Sequence, residues 1–330
     1  MILNEKAIQK IVNAFDVGKF RKLVAKLDSG FQSDNYHIQT SGGNFVLRVI
    51  YDSVDNVEYC MEVFDYLATN GIKTPKPIRT KKGKLSHLYD NNVIVIQTFL
   101  PGTFYEEESF EKLDLLLPFF GRELGKIHRV SLQMVIDKGE GRFSNRGNVI
   151  SSVKKLAKKY LPDKEYIINQ YEVWDQEIHF IHTEKLTKAV IHGDVGPKDF
   201  FFKDGKYQGI LDFNAAHFDF LLFDIAPMMM YCALYEPERK RQYLSFITAY
   251  LEEAPIQKKE LLWLHLILRT RWLFQILFHQ YRYVEGITQG LETDDVEENL
   301  EGVRDGEYFL KVTNNYPNDY FYKVIREEMN

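Results

Sequence analysis

Cysteine is scarce in this sequence, tryptophan is rare, and positive charge is not in excess. The 330 residues include only two cysteines, Cys60 and Cys232, which excludes a disulfide framework and a four-cysteine zinc site. Lysine and arginine number 42 against 47 aspartates and glutamates, and a net charge of −5 argues against a general nucleic-acid binder. Because 45% of the residues are hydrophobic, a disordered chain is excluded as well.

Signals for secretion or membrane insertion are also missing. The N-terminus has no basic region followed by an apolar run, so we expect no signal peptide. The most apolar stretch, residues 261–278, contains His265, Arg269 and Arg271, and charges at mid-span are costly in lipid. The sequence therefore predicts a buried helix rather than a membrane span, and a cytoplasmic protein without a membrane partner.

Hydrophobic spacing predicts an α+β fold in two lobes. Apolar residues recur every three or four positions over residues 5–27 and 55–70, which predicts helices. Alternating residues on both sides of Gly42-Gly43 predict a β-hairpin. After Pro101-Gly102 the pattern is mostly helical, with β signals over 188–213. We predict a small N-terminal antiparallel β lobe, residues 1–101, and a larger mostly helical C-terminal lobe, residues 102–330.

An aspartate-rich segment surrounds the hairpin predicted within the C-terminal lobe. A short apolar strand leads into His192, Gly193 and Asp194, while Asp199 precedes the hairpin and Asp212 follows it. We expect the three carboxylates at one end of the hairpin. Mg²⁺ favours one or two carboxylates plus substrate phosphates, and a further carboxylate can accept the proton of an attacking hydroxyl. The alternative is a turn with solvated aspartates.

This pattern resembles the catalytic and metal-binding loops of the aminoglycoside phosphotransferase/choline kinase superfamily, which has a bilobal protein-kinase-like fold. The resemblance implies that His192 and Asp194 form the catalytic loop, with Asp194 as the base, and that Asp212 binds Mg²⁺. Asp199 stands where the family has asparagine, and we assign it as the second metal ligand. Asn214 stands where relatives often have another acidic residue.

The resemblance also implies an ATP site in the N-terminal lobe. Arg48 matches the strand position whose basic residue holds the nucleotide phosphates, and arginine can do so in a bidentate way. A helix glutamate should pair with Arg48; we favour Glu62 over Glu58, one turn away on the same face. The phosphate-covering loop would comprise Ser29, Gly30, Phe31, Gln32 and Ser33. The hinge that contacts adenine would comprise Gln97, Thr98, Phe99 and Leu100.

Other residues of the C-terminal lobe divide into structural and substrate-contacting candidates. We interpret Asp224 as a helix N-terminal residue that anchors the catalytic loop, and His128 as a packing or locally bonded residue. The candidate substrate contacts are Asn214, His217, Arg269 and Arg271. For the two arginines, an anionic substrate and an acidic partner within the protein are equally open interpretations.

These assignments predict an ATP- and Mg²⁺-dependent kinase that transfers the γ-phosphoryl group to a hydroxyl of a small molecule. The sequence most resembles the homoserine kinase type II-like branch, and amino alcohols and aminoglycosides are the other candidate substrates. The alternative is a catalytically weak, kinase-like binding or structural protein related to spore-coat proteins, which Asp199 motivates. We expect no nucleic-acid partner, and a homodimer is left open.

Overall fold

The computed structural model describes residues 3–30, 33–105, 110–144, 147–183, 185–230, 240–291, 293 and 295–328. Its strands are β1 (Phe20–Gly30), β2 (Ser33–Thr40), β3 (Gly43–Ile50), β4 (His87–Tyr89), β5 (Asn92–Thr98), β6 (Thr103–Phe104), β7 (Lys188–Ile191), β8 (Phe200–Lys203), β9 (Lys206–Ile210) and β10 (His217–Phe220). Its α-helices are α1 (Glu5–Val12), α2 (Val54–Thr69), α3 (Phe110–Lys138), α4 (Val149–Tyr160), α5 (Glu165–Glu177), α6 (Leu222–Met229), α7 (Lys240–Glu253), α8 (Leu264–Val284), α9 (Asn299–Asn314) and α10 (Tyr320–Glu328).

The first of two compact units is built on an antiparallel sheet with the strand order β1-β2-β3-β5-β4. The predicted hairpin is confirmed: β2 and β3 pair around the Gly42-Gly43 turn, with Thr40 opposite Gly43. The buried side chains of Phe15, Tyr36 and Leu47 lie in a hydrophobic core of this unit, together with α1. Burying a side chain of this size stabilises the fold by roughly 1.5–3 kcal/mol, so this core fixes the sheet that carries Arg48.

The prediction of helix over residues 5–27 is correct for α1 and wrong for β1. Strand β1 pairs with β2 through irregular register, with shifts between Phe20 and Lys22 and between Leu23 and Ala25. Each bulge inserts an extra residue, so apolar side chains recur every three or four positions instead of every two. The bulged strand thereby imitates the spacing of a helix.

The first unit comprises two stretches of chain, Met1–Tyr105 and Lys198–Ala215. The second stretch forms the β8–β9 hairpin, and β8 pairs with β6. Thr74 Oγ1 donates to Ile210 O over 2.8 Å, and a Cβ at Gly209 would lie 2.7 Å from the Lys73 carbonyl oxygen. These contacts hold the hairpin against the loop that follows α2. The sequence predicts one boundary after residue 101, whereas the compact units change at 105/106, 197/198 and 215/216.

The second unit comprises Glu106–Pro197 and Ala216–Asn330 and is mostly helical. Helix α3 packs on α7 so closely that a Cβ at Gly121 would lie 2.2 Å from the Phe246 carbonyl oxygen. Strands β7 and β10 pair antiparallel, with His217 opposite Ile191. The predicted α+β architecture, with an antiparallel β unit and a larger helical unit, is confirmed.

Helix α8 contains the most apolar part of the chain. Among the described residues, one helical stretch, Lys258–Val284, contains an 18-residue window that is apolar enough to cross a membrane. The protein buries 67% of that window, as expected for the core helix of a globular unit. His265 and Arg269 are among its buried residues.

Candidate active site

The loop that carries His192 and Asp194 is held by a single buried carboxylate in the second unit. Strand β7 ends at Ile191, and the backbone N–H groups of the next two residues donate to Asp224. The His192 nitrogen lies 2.7 Å from Asp224 Oδ2, and the Gly193 nitrogen lies 2.8 Å from Asp224 Oδ1. Gly193 has a φ of +90°, which glycine adopts without a steric cost. The predicted anchoring role of Asp224 is confirmed.

Asp224 is itself fixed by a buried hydrogen-bonded chain. Its Oδ2 accepts from His128 Nε2 over 3.0 Å, and His128 Nδ1 lies 2.7 Å from the Tyr250 hydroxyl. Burial opposes ionisation of Asp224, but His128, His192 and the Gly193 N–H outweigh it and lower the pKa below its usual value. Asp224 therefore stays ionised and accepts all three hydrogen bonds. His128 is predicted to be a packing or locally bonded residue, and the structure shows it buried and hydrogen-bonded to two side chains from distant parts of the chain.

Asp194 follows the two anchored residues, and its carboxylate is exposed. Its side chain is 52% exposed, whereas that of Arg271, from α8, is 16% exposed. Arg271 Nη2 donates to Asp194 Oδ1 over 2.6 Å. A charge-assisted hydrogen bond of this kind orients a carboxylate. For Arg271, the structure therefore favours the acidic partner over direct contact with an anionic substrate.

Arg48, on β3 of the first unit, is surrounded by neutral polar side chains. Its Nε donates to Asn35 Oδ1 and its Nη2 to Ser33 Oγ, each over 3.1 Å, while Nη1 reaches Gln97 Oε1 over 3.4 Å. Burial lowers the pKa of Arg48, and the nearby Asp212 carboxylate opposes that effect. The guanidinium is thus held in one orientation, with a carboxylate of the aspartate-rich segment close by.

The two glutamates predicted to pair with Arg48 both lie on α2. Glu58 Oε1 accepts hydrogen bonds from the N–H and the hydroxyl of Ser86, over 2.8 and 2.5 Å. Its carboxylate is therefore bonded to the segment that precedes β4. The pairing of Glu62 with Arg48 stays a prediction.

Asp199 and Asp212 lie at the open end of the β8–β9 hairpin. The Asp199 carbonyl accepts from the Leu211 N–H over 2.9 Å, so the two aspartates flank the same pair of strands. Asp199 is 4% exposed. Asp212 has a φ of +66°, an uncommon conformation that concentrates at functional sites, and it accepts from Asn214 Nδ2 over 2.6 Å.

These oxygens form a hard donor set that fits Mg²⁺. Among the described residues, no group of three or more histidine, cysteine, aspartate or glutamate side chains could hold a metal. Mg²⁺ does not need such a cage, because it binds one or two carboxylates and takes its remaining ligands from phosphates and water. Asp199 and Asp212 belong to the first unit and Asp194 to the second, so the meeting of the three carboxylates stays a prediction.

The predicted hinge lies at the end of β5 and is partly bonded to its own unit. The Thr98 N–H donates to Lys76 O over 2.9 Å, and the Phe99 N–H donates to Asn44 O over 3.4 Å. The Phe99 ring stacks on His37 with centroids 4.0 Å apart. Gln97 is buried and faces Arg48. Leu100 follows the strand and is the first residue beyond these bonds.

The remaining predicted residues are distributed over both units. Ser29 and Gly30 end β1, while Phe31 and Gln32 lie outside the described residues, as does Cys232. His217 begins β10, with Nε2 3.5 Å from Asp219 Oδ2. The Asn214 carbonyl oxygen accepts from the Cys60 thiol over 3.4 Å, and Arg269 pairs with Glu177.

Sequence reasoning missed three partners of the site residues. Asn35 contacts Arg48 from the neighbouring strand, where the β2–β3 register places it directly opposite. That register was readable from the Gly42-Gly43 turn. Tyr250 of α7 and the pairing of Arg271 with Asp194 connect elements far apart in the chain, and no local pattern signals them.

The sequence pattern of the phosphotransferase enzyme family (APH) matches residues 24–261, which include Arg48, Asp194, Asp199 and Asp212. The chain belongs to this family. The sequence-based prediction of a phosphotransferase in the aminoglycoside phosphotransferase/choline kinase superfamily is thereby confirmed. Its homoserine kinase-like branch is supported by curated relatives.

Curated relatives of this phosphotransferase include homoserine kinases. That of Gluconobacter oxydans (strain 621H) is 26% identical over 235 residues, covering 68% of this chain and 70% of the relative. That of Nitrobacter hamburgensis (strain DSM 10229 / NCIMB 13809 / X14) is 23% identical and covers 76% of each chain.

Solved structures share the fold of this phosphotransferase. Amicoumacin kinase hAmiN, in complex with AMP-PNP, Ca²⁺ and Ami, has a TM-score of 0.71 at 16% identity, covering 96% of this chain and 95% of that one. The microcompartment-associated aminopropanol kinase has a TM-score of 0.64 at 13% identity, covering 97% and 100%. The protein-kinase-like fold predicted from the sequence is therefore confirmed.

Proposed function

We propose that this phosphotransferase is a cytoplasmic, ATP- and Mg²⁺-dependent kinase that phosphorylates a hydroxyl of a small amino acid or amino alcohol. The observation that carries the proposal is that the loop before Asp194 is anchored while the Asp194 carboxylate is exposed. Both oxygens of buried Asp224 hold the two N–H groups before Asp194, while Asp194 itself stays half exposed. A rigid loop with an accessible carboxylate is what an acceptor hydroxyl needs for orientation and proton removal.

Asp194 is assigned as the base. It accepts the hydrogen bond of the acceptor hydroxyl, turns the oxygen lone pair towards the γ-phosphorus, and takes the proton as the new P–O bond forms. The bond between the γ-phosphorus and the bridging oxygen of ATP breaks in the same transfer, and ADP is the leaving group. Arg271 holds one carboxylate oxygen and fixes the direction of the other. His192, whose side chain is buried, supports the loop from within through its backbone bond to Asp224.

The first unit contains the residues that are assigned to ATP binding. Arg48 is held by Ser33, Asn35 and Gln97 and is assigned to the nucleotide phosphates, where its fixed positive charge opposes the phosphate charge. Because the N–H groups of Thr98 and Phe99 are bonded to their own unit, the N–H of Leu100 is assigned to adenine.

Asp199 and Asp212 are assigned to Mg²⁺, which when bound neutralises charge on the transferring phosphoryl group. The orientation of Asp212 by Asn214 supports this assignment, since a ligating carboxylate is normally held by a second hydrogen bond. The aspartate at 199 leaves more negative charge at the site than the family's asparagine would.

The chemical class of the acceptor is inferred from the similar kinases. Similarity to homoserine kinases supports an amino acid with a side-chain hydroxyl, and the fold shared with an aminopropanol kinase keeps amino alcohols in the panel. A screen of Mg²⁺-ATP turnover with homoserine, ethanolamine, choline, 1-amino-2-propanol and aminoglycosides tests the proposal. A phosphorylated product from at least one compound is expected. If ATP binds but no compound raises turnover, the protein is a kinase-like binding protein instead.

Two variants test the roles. Asp194→Asn should retain nucleotide binding and lose turnover by about 10²- to 10⁴-fold, the range that general-base assistance contributes. Asp212→Ala should lose the Mg²⁺-dependent part of nucleotide affinity. Asp204→Asn, in the exposed turn of the same hairpin, is the matched control and should change neither quantity. Equal loss of nucleotide binding in the first two variants would contradict the assignment.

A further inference from the structure

A cavity of about 380 Å³ lies in the second unit, away from the residues assigned to catalysis. It is lined by α5, α8 and α9 and by the residues that follow α9. Its volume lies within the range of small-molecule sites. Its wall includes the polar and charged side chains of Tyr166, Gln170, Arg269, Lys311, Asn314 and Asn315.

Arg269 in the cavity wall has an unused hydrogen-bonding edge. The residue is 4% exposed, and its Nη1 pairs with Glu177 at the end of α5. Nε and Nη2 are buried and have no hydrogen-bond partner among the described residues. These two nitrogens lie on one edge of the planar guanidinium, the edge that binds a carboxylate in a bidentate way. Leaving two buried donors unpaired is costly, so an acceptor in the cavity would stabilise the structure.

The charges around the cavity favour an anion. Arg269 and Lys311 line it, whereas no aspartate or glutamate does among the described residues. His265 also lines the cavity, and burial together with Arg269 lowers its pKa, so it contributes no positive charge near pH 7. Glu177 pairs with Arg269. Glu307 pairs with Lys311 over 2.7 Å and with Lys164 over 2.8 Å. The local excess of positive charge is therefore small, which suits a monovalent carboxylate better than a divalent phosphate.

The cavity is on the other side of α8 from Asp194. Arg269 and Arg271 are two positions apart, so their side chains leave the helix about 200° apart. Arg271 contacts Asp194, while Arg269 contacts Glu177 and the cavity. A ligand on Arg269 would therefore be separated from the proposed base by the helix itself.

We propose that this cavity binds a small polar carboxylate, such as an amino or hydroxy acid, at a site separate from the phosphoryl-transfer site. Nε–H and Nη2–H of Arg269 each donate a hydrogen bond to one oxygen of the carboxylate. Asn314 Nδ2 donates to Gln170 Oε1 over 2.7 Å and to the Tyr166 hydroxyl oxygen over 3.1 Å, which orients these side chains. The Gln170 NH₂ group, the Tyr166 O–H and the Asn315 amide are assigned to the polar groups on the rest of the molecule. The site does not depend on the proposed kinase activity.

Titration of the full chain without ATP tests this inference. The probes are succinamate, L-lactate and L-serine, each with one carboxylate, with succinamide as the neutral analogue of succinamate and inorganic phosphate as the other anion. Binding is followed by calorimetry and by the ¹⁵N-detected Nε–H signal of Arg269. We expect a carboxylate to bind with a dissociation constant in the millimolar range or below, to shift that signal, and to bind at least tenfold more tightly than succinamide.

Variants separate this cavity from other anion sites. Arg269→Gln should weaken carboxylate binding at least tenfold, whereas Arg304→Gln, an exposed arginine on α9, should leave it unchanged. Asn315→Asp, at an exposed position of the wall, should weaken binding several-fold through like charge and is informative even if Arg269→Gln does not fold. Asp194→Asn should retain binding.

Three results would each overturn the proposal of a site at Arg269. They are the absence of binding by every carboxylate at 20 mM, equal binding of carboxylate and succinamide, and equal carboxylate affinity in the Arg269→Gln or Asn315→Asp variant. Binding of phosphate alone would also overturn the assignment to a carboxylate. Because none of these measurements requires turnover, failure of the kinase proposal leaves the result interpretable.

Discussion

Replacing Asp224 with asparagine should damage both the stability and the activity of this phosphotransferase. The carboxylate accepts hydrogen bonds from the His192 N–H, the Gly193 N–H and His128 Nε2, over 2.7, 2.8 and 3.0 Å. Asparagine has one oxygen, so its NH₂ group must face at least one of these donors. Hydrogen bonds to charged groups contribute roughly 1.5–3 kcal/mol each, and breaking a buried pair costs roughly 3–5 kcal/mol.

We therefore expect the free energy of unfolding to fall by roughly 3–5 kcal/mol, measured by urea denaturation at pH 7. The variant should also lose about 100-fold in kcat under folding conditions, because a displacement of about 1 Å in the loop has that effect. Asp305→Asn, an exposed aspartate on α9, is the control for removing one negative charge.

The pH dependence gives a second measure of the same carboxylate. The pKa of Asp224 is lower in the folded protein than in the unfolded chain. Its contribution to stability is therefore complete above the unfolded value, about 3.9, and is lost as the pH falls through the folded value. The stability difference between wild type and Asp224→Asn should shrink as the pH approaches 3. A difference under about 0.5 kcal/mol at pH 7, or one that does not change with pH, would refute the reasoning.

Three further predictions concern the site and its scaffold. Arg271→Met should lower kcat about 10- to 100-fold while the KM for ATP changes less than twofold, because the residue orients the base; an equal change in both would contradict a positioning role. Arg48→Met should raise the dissociation constant of ATP at least tenfold in calorimetry, and unchanged affinity would remove Arg48 from the phosphate site. Gly121→Ala should destabilise the protein by about 1–3 kcal/mol, because its Cβ meets the backbone of α7, whereas Gly141→Ala, with open space around it, should be neutral in urea unfolding.

Much of the local structure could be predicted because each signal lies within one short stretch. The hairpin of β2 and β3 follows from alternation around two glycines, and α2 ends where Asn70 and Gly71 interrupt the helical pattern. The strand β1 could not be recognised because its bulges change the spacing that identifies a strand. The positions of the bulges depend on how β1 pairs with β2, so the sequence of β1 alone does not reveal them.

In the candidate site, too, local spacing could be read from the sequence, whereas contacts between distant elements could not. The spacing of Asp194, Asp199 and Asp212 is local and points to metal and phosphate chemistry. Arg271 pairs with Asp194 across 77 positions of the chain, so its partner depends on how α8 packs in the second unit. The sequence marked the arginine as unusual for an apolar helix, but left open which anion it meets.

The division of the first unit into two stretches of chain affects how the protein is made. Strand β6 ends at Phe104, but its partner β8 begins at Phe200 and the stretch closes at Ala215. At a synthesis rate of roughly 5–20 residues per second, the ribosome needs about 5–20 s to reach that point after residue 105. During that interval the nascent sheet lacks the hairpin that contacts Thr74. We therefore expect the nascent sheet to be more accessible to proteases and chaperones during this interval than after the hairpin has been made.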